Sequence, residues 1–120
     1  MIAITLPWPD RSLHPNSRKH YMVKAKAVKA ARWTAHKSIW EAGIRKTDTD
    51  LPQALKVTCI FSPPNNRKHD LDGCFAALKA SFDGIADAIG IDDSKWTFGA
   101  PRKDAPVKGG AVRIEIEEAA

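Results

Sequence analysis

The stretch Leu71-Asp72-Gly73-Cys74-Phe75-Ala76-Ala77-Leu78-Lys79-Ala80-Ser81-Phe82-Asp83-Gly84-Ile85-Ala86-Asp87-Ala88-Ile89 spaces Leu71, Cys74, Phe75, Leu78, Phe82, Ile85 and Ile89 three or four residues apart. That is the period of a helix with one apolar face, and Gly90 follows where a left-handed C′ residue is expected. Upstream, residues 55–62 alternate as a strand with Val57, Cys59 and Phe61 on one side, closed by Pro63-Pro64-Asn65-Asn66. Residues 2–6 also alternate and stop at Pro7-Trp8-Pro9, which predicts a first strand running into a rigid, exposed loop. Residues 22–42, rich in Ala and Lys and ended by Gly43, predict a long helix, and residues 45–53 a polar surface loop. Beyond an Asp92-Asp93-Ser94 turn come a weaker strand over 95–100, a basic loop over 101–110 and a last strand in which Val112, Ile114 and Ile116 alternate with charges. The order β-α-β-α-β-β predicts an α/β fold, a small mixed sheet with two main helices, in one domain over residues 1–120.

A chain of 120 residues with 43% hydrophobic and 28% charged residues has the composition of a globular protein. It holds no apolar run near the roughly 20 residues that span a membrane, and its first residues lack the pattern of a signal peptide. Cys59 and Cys74 have no CxxC partner and no histidine at zinc spacing, so both are expected as reduced core residues of a cytoplasmic protein. The formal charge of +5 favours polyanionic partners.

Against that basic background, Asp70-Leu71-Asp72 and Asp92-Asp93 stand out. Residues two apart on a helix point about 200° from each other, so Asp70 and Asp72 converge only at a helix edge. The apolar period begins at Leu71, which puts Asp70 at the N-cap and Asp72 in the first turn. Acids are favoured there for capping and dipole reasons alone. The other reading is a metal site: carboxylates from two elements suit Mg²⁺ or Mn²⁺, which take few protein ligands and keep several waters. A helix over 71–89 would hold the two acidic groups roughly 28 Å apart, so the turn after Gly90 has to bring the chain back, or the site is completed across the fold. An EF-hand starting at Asp70 fails at Cys74 and Phe75. A haloacid-dehalogenase nucleophile fails because no hydrophobic strand leads into Asp70.

Lys79 returns to within about 20° of the Asp72 face two turns on and could reach a phosphate, or could pair with Asp83 four residues along. His69 is the best placed histidine, with His14, His20 and His36 read as exposed polar residues. Trp8, Trp33, Trp40 and Trp96 could each stack on bases, but Trp33, Trp40 and Trp96 are expected in a core or an interface.

Taken together these segments resemble the RusA family of Holliday junction resolvases. The likeness runs nearly end to end: Ile4-Thr5-Leu6-Pro7-Trp8-Pro9, His14-Pro15-Asn16, Arg67-Lys68-His69-Asp70-Leu71-Asp72, Lys79-Ala80-Ser81-Phe82-Asp83-Gly84-Ile85, Ile91-Asp92-Asp93 and Lys108-Gly109-Gly110. The resemblance implies a homodimer that binds four-way DNA junctions and nicks them in pairs with Mg²⁺ or Mn²⁺, in DNA recombination and repair. It implies Asp70, Asp72 and Asp93 as the acidic catalytic and metal-holding residues and Lys79 as the catalytic lysine. Asn16, Arg18, Lys26, Lys29, Arg67, Lys68 and His69 are the candidate DNA contacts. Two features depart from the family: Gly73 replaces the usual Asn, and Lys79 follows Asp72 by seven residues where the family has four. The alternatives are a junction- or duplex-binding protein with impaired catalysis, and a general metal-dependent nuclease.

Overall fold

Alternation turns into a sheet because one face of each strand can be buried while the other stays polar. In the computed structural model, which describes residues 2–14, 18, 20–45, 47 and 54–119, β1 is Ile2–Pro7 and β2 is Leu55–Ser62. They are followed by β3 (Trp96–Phe98), β4 (Arg102–Lys103) and β5 (Ala111–Glu118). The helices are α1 (Tyr21–Glu41), α2 (Leu71–Ala76) and α3 (Lys79–Ile89). β5 runs antiparallel between β1 and β2, from Ile2↔Ile116 on one side to Ser62↔Ala111 on the other. β3 and β4 both pair parallel to the outer side of β2, so the sheet is mixed, as its sequence order predicts.

Ile4, Leu6, Val57, Cys59, Phe61, Val112, Ile114 and Ile116 cover one sheet face and enter the core with residues of all three helices. The opposite face carries Thr5, Lys56 and Thr58 with an Arg102, Glu115 and Arg113 cluster, in which Arg113 Nε lies 3.1 Å from Glu115 Oε2. Burial pushes the Cys59 thiol up to about 12, as expected of a core cysteine. Among the described residues no helix is long and apolar enough to cross a membrane.

Three expectations are corrected. The helix over 71–89 is broken: Leu78 N donates to Phe75 O at 3.0 Å, a tightened i to i−3 turn, before α3 restarts from Leu78. Its apolar period survives the break, because Cys74, Leu78, Phe82, Ile85 and Ile89 all stay buried. The strand over 95–100 shortens to Trp96–Phe98, and the loop over 101–110 contains β4. That loop is drawn on to the open edge of β2, where Asp104 N donates to Phe61 O at 2.8 Å and Val107 N to Pro63 O at 3.0 Å. The loop over 45–53 lies largely outside the described residues.

α1 buries only Ala35 and Ile39 and is held close to α3 by small residues. A Cβ at position 84 would fall on the carbonyl oxygen of Arg32 and stand 3.1 Å from the Ala35 Cβ. Alongside, Arg32 Nε donates to Asp87 Oδ2 at 2.7 Å. Gly84→Ala must therefore push the helices apart and is expected to lose about 1–3 kcal/mol, read as a lower urea midpoint with an unchanged slope.

Candidate active site

Asp70 ends the loop after β2 in an extended conformation (φ −78, ψ 110), and its Oδ1 accepts from Asp72 N at 3.2 Å. It is thus the N-cap of α2, with Asp72 exposed in the first turn. The second carboxylate oxygen faces Gly73: a Cβ there would stand 3.2 Å from Asp70 Oδ2 and 3.5 Å from His14 Nδ1. The missing side chain leaves the space that Asp70 and His14 share. His14, expected to be exposed, is half-buried beside the acids, a placement with no local sequence signal because it arises from a loop preceding α1.

The approach to Asp70 is organised by Asn65 and Trp8. Asn65 Oδ1 accepts from Arg67 N at 3.0 Å and lies 3.0 Å from His69 Nε2. The His69 ring stands edge-on to Trp8 at 5.3 Å, and Trp8 edge-on to Phe61 at 6.1 Å. Pro7-Trp8-Pro9 is therefore less exposed than predicted, with Trp8 half-buried and Pro9 buried. Gly110, at φ 73, makes room for it, since a Cβ there would stand 2.9 Å from the Trp8 Cβ. The Asn65 turn was legible as an Asx signal after Pro63-Pro64. Arg67 and Lys68 are exposed on this loop.

The second acidic group comes back as far as Lys79, at the start of α3. After Gly90 (φ 76) the chain returns to a 3-10 turn at Asp93–Lys95, and Lys79 Nζ, at the start of α3, reaches Asp93 Oδ2 at 2.5 Å and Asp83 Oδ1 at 3.0 Å. The pairing of Lys79 with Asp83 is thus present, and Lys79 meets Asp93 as well. Hydrogen bonds to Asp93 and then to Asp83 raise its pKa, so it remains an ammonium at neutral pH. Asp92 is used differently, for its carboxylate accepts from the Ser94 hydroxyl and amide, which lowers its pKa. The Asp93 side chain is only 18% exposed.

Among the described residues, no three His, Cys, Asp or Glu side chains converge closely enough to hold a metal ion. The donors present are carboxylate oxygens, which match Mg²⁺ or Mn²⁺ in type, and Mg²⁺ is commonly held by one or two carboxylates together with waters and substrate phosphates. A cavity of about 270 Å³ between α1 and the end of β1 is lined by Leu6, Trp8, Leu13, Ala27, Ala31 and Leu78 among others. None of the three aspartates lines it, and its walls are mostly apolar, so it is not the place for phosphate chemistry.

Of the candidate DNA contacts, Arg18, Lys26, Lys29, Arg67 and Lys68 are exposed, His69 is half-buried and Asn16 lies outside the described residues. Trp96 packs in the core as expected, 7% exposed, with its indole N–H donated to Ile91 O at 3.1 Å. Trp33 and Trp40 do not: they are 63% and 54% exposed, because α1 turns its Ala35 and Ile39 side to the core and these two rings away from it.

No protein-family model matches the chain. An uncharacterized protein of Xylella fastidiosa is 37% identical over 116 residues, which span 97% of this chain and 76% of that protein.

The capping role of Asp70 can be read by substitution. Asp70→Ala removes the cap and is expected to cost about 0.5–2 kcal/mol in chemical denaturation, whereas Asp70→Asn, itself a good N-cap, should unfold close to wild type.

Proposed function

We propose that this chain, which belongs to one family with the Xylella fastidiosa protein, is a metal-dependent endonuclease of the RusA kind that resolves four-way DNA junctions as a homodimer, in recombination and repair. The observation that carries this reading is the Lys79 to Asp93 contact of 2.5 Å. It brings Asp93 to the start of α3, seven residues on from Asp72, and this supports reading the two acidic groups as parts of one site. Support also comes from the ordered motifs along the chain and its net positive charge.

In this reading Asp70, Asp72 and Asp93 are the acidic residues of the site; as no three such groups converge among the described residues, Mg²⁺ or Mn²⁺ would be held by one or two of these carboxylates, with waters and the substrate phosphate completing its shell. A divalent cation, when bound there, supplies Lewis-acid activation of water and neutralises charge on a phosphate. The chain's own groups do the rest. The Asp70 cap fixes the first turn of α2 and with it the direction of Asp72. Arg67 and Lys68 stand before the acids and draw the DNA backbone toward them. Lys79, kept charged between Asp93 and Asp83, offsets negative charge that develops on the phosphoryl oxygens. Two active sites related by a two-fold axis match the symmetry of a junction, which is why a homodimer belongs to the proposal.

A second reading is a junction- or duplex-binding protein with impaired catalysis. What favours it is the same contact, since the Lys79 ammonium already neutralises Asp93. Nicking of a labelled four-way junction in Mg²⁺ against EDTA separates the two. Asp70→Asn, Asp72→Asn and Asp93→Asn are each expected to abolish nicking and spare junction binding, and wild-type rates in any of them remove that residue from the site. Lys79→Ala should lower the single-turnover rate at nearly constant junction affinity, while Asp83→Ala leaves the rate near normal. Equal, mild effects of the two would reduce Lys79 to an ordinary ion-pair partner.

A further inference from the structure

Met22, Lys26, Lys29, Trp33, Lys37 and Trp40 follow one another along α1 at intervals of three and four residues. At about 100° per residue they fall within a sector of roughly 80°, on the far side of the helix from buried Ala35. All six are exposed, with Met22 and Trp33 at 63% and Trp40 at 54%. A cation lies over each indole: Lys37 Nζ is 5.1 Å from the Trp33 centroid and the Arg45 guanidinium 3.1 Å from that of Trp40. Among the described residues no carboxylate pairs with Lys26 or Lys29.

Neither indole contributes to the core, and apolar surface of this size left in water calls for a partner. The charges choose which. A second copy docked on this face by a two-fold axis would bring Lys26, Lys29 and Lys37 toward their own counterparts, which is unfavourable, whereas a polyanion neutralises them. Flat aromatic faces between cations add stacking to that attraction, and stacking needs bases that are not already paired within a duplex. We propose that this face of α1 binds single-stranded nucleic acid, with Trp33 and Trp40 stacked on bases and Lys26, Lys29 and Lys37 against phosphates. The two rings are separated by about 10.5 Å along the helix, close to three base steps of about 3.4 Å. The whole stripe runs for about 27 Å, enough for roughly eight nucleotides. Recognition of this kind tolerates any sequence, and it needs neither the aspartates nor a metal.

The test uses the full chain in EDTA, so that cleavage plays no part, and follows the anisotropy of a labelled oligothymidine of about twelve nucleotides. Trp33→Ala and Trp40→Ala are each expected to weaken binding by roughly 5- to 150-fold with an unchanged circular dichroism spectrum. A strand of the same length carrying abasic sites in place of its bases should bind far more weakly than oligothymidine. Lys26→Gln with Lys29→Gln should flatten the dependence on salt. Equal affinity for the abasic strand, or unchanged affinity in the double tryptophan variant, would overturn the proposal in favour of a reader of phosphates alone. It is also overturned if the strand does not bind while phosphatidylserine vesicles do so through the tryptophans, or if the double variant loses only self-association in sedimentation.

Discussion

The carbonyl oxygen of Arg32 occupies the space where Gly84 lacks a side chain, and much of the remaining arrangement depends on that approach. With so little room between α1 and α3, the long helix meets its neighbour through Ala35 and Ile39 and has no way to bury its other sides. Its lysines and tryptophans are consequently displayed, not packed. The same seat fixes α3 against α1 and therefore the origin of Lys79, the residue that meets Asp83 and Asp93. The Arg32 to Asp87 pair is a minor addition, since both side chains are substantially exposed and water screens them.

Strands and core were readable because burial on one sheet face forces a period of two, and Val57, Cys59, Phe61, Val112, Ile114 and Ile116 obey it. The helical period between Leu71 and Ile89 was readable for the same reason. The break between α2 and α3 was not, since a tightened turn preserves the facing of Leu78 and Phe82 and leaves the pattern intact. β4 was hidden because Arg102 and Lys103 carry no alternation; they are in the sheet only because β2 offers an unpaired edge. For the acids, the N-cap role of Asp70 follows from local rules, but the meeting of Lys79 with Asp93 depends on the path of the chain after Gly90. The nearness of His14 to Asp70 depends on tertiary packing, which no window of sequence encodes.

Charge is distributed with the same economy of elements. The carboxylates occupy the first turn of α2 and the turn after α3, where backbone amides and Lys79 hold them in place. The principal cations lie on α1 and on the loop ahead of Asp70, both exposed. Acidic and basic groups thus sit on different elements, whereas the open polar face of the sheet, with Glu115 between Arg102 and Arg113, carries both signs together.

The short α2 has a bearing on how firmly the aspartates at its start are tied to Lys79. Cys74 and Ala77 are buried and the Phe75 ring packs on Phe82 and Phe98, with centroids 5.4 and 5.2 Å apart, so a residue gained or lost between Gly73 and Ala77 would swing Cys74 by about 100° out of the core. The interval from Asp72 to Lys79 is thus a packed one and not a free spacer. Asp70 and Lys79 are in this way held at a set separation by the core beneath them, although the two side chains stand on different helices.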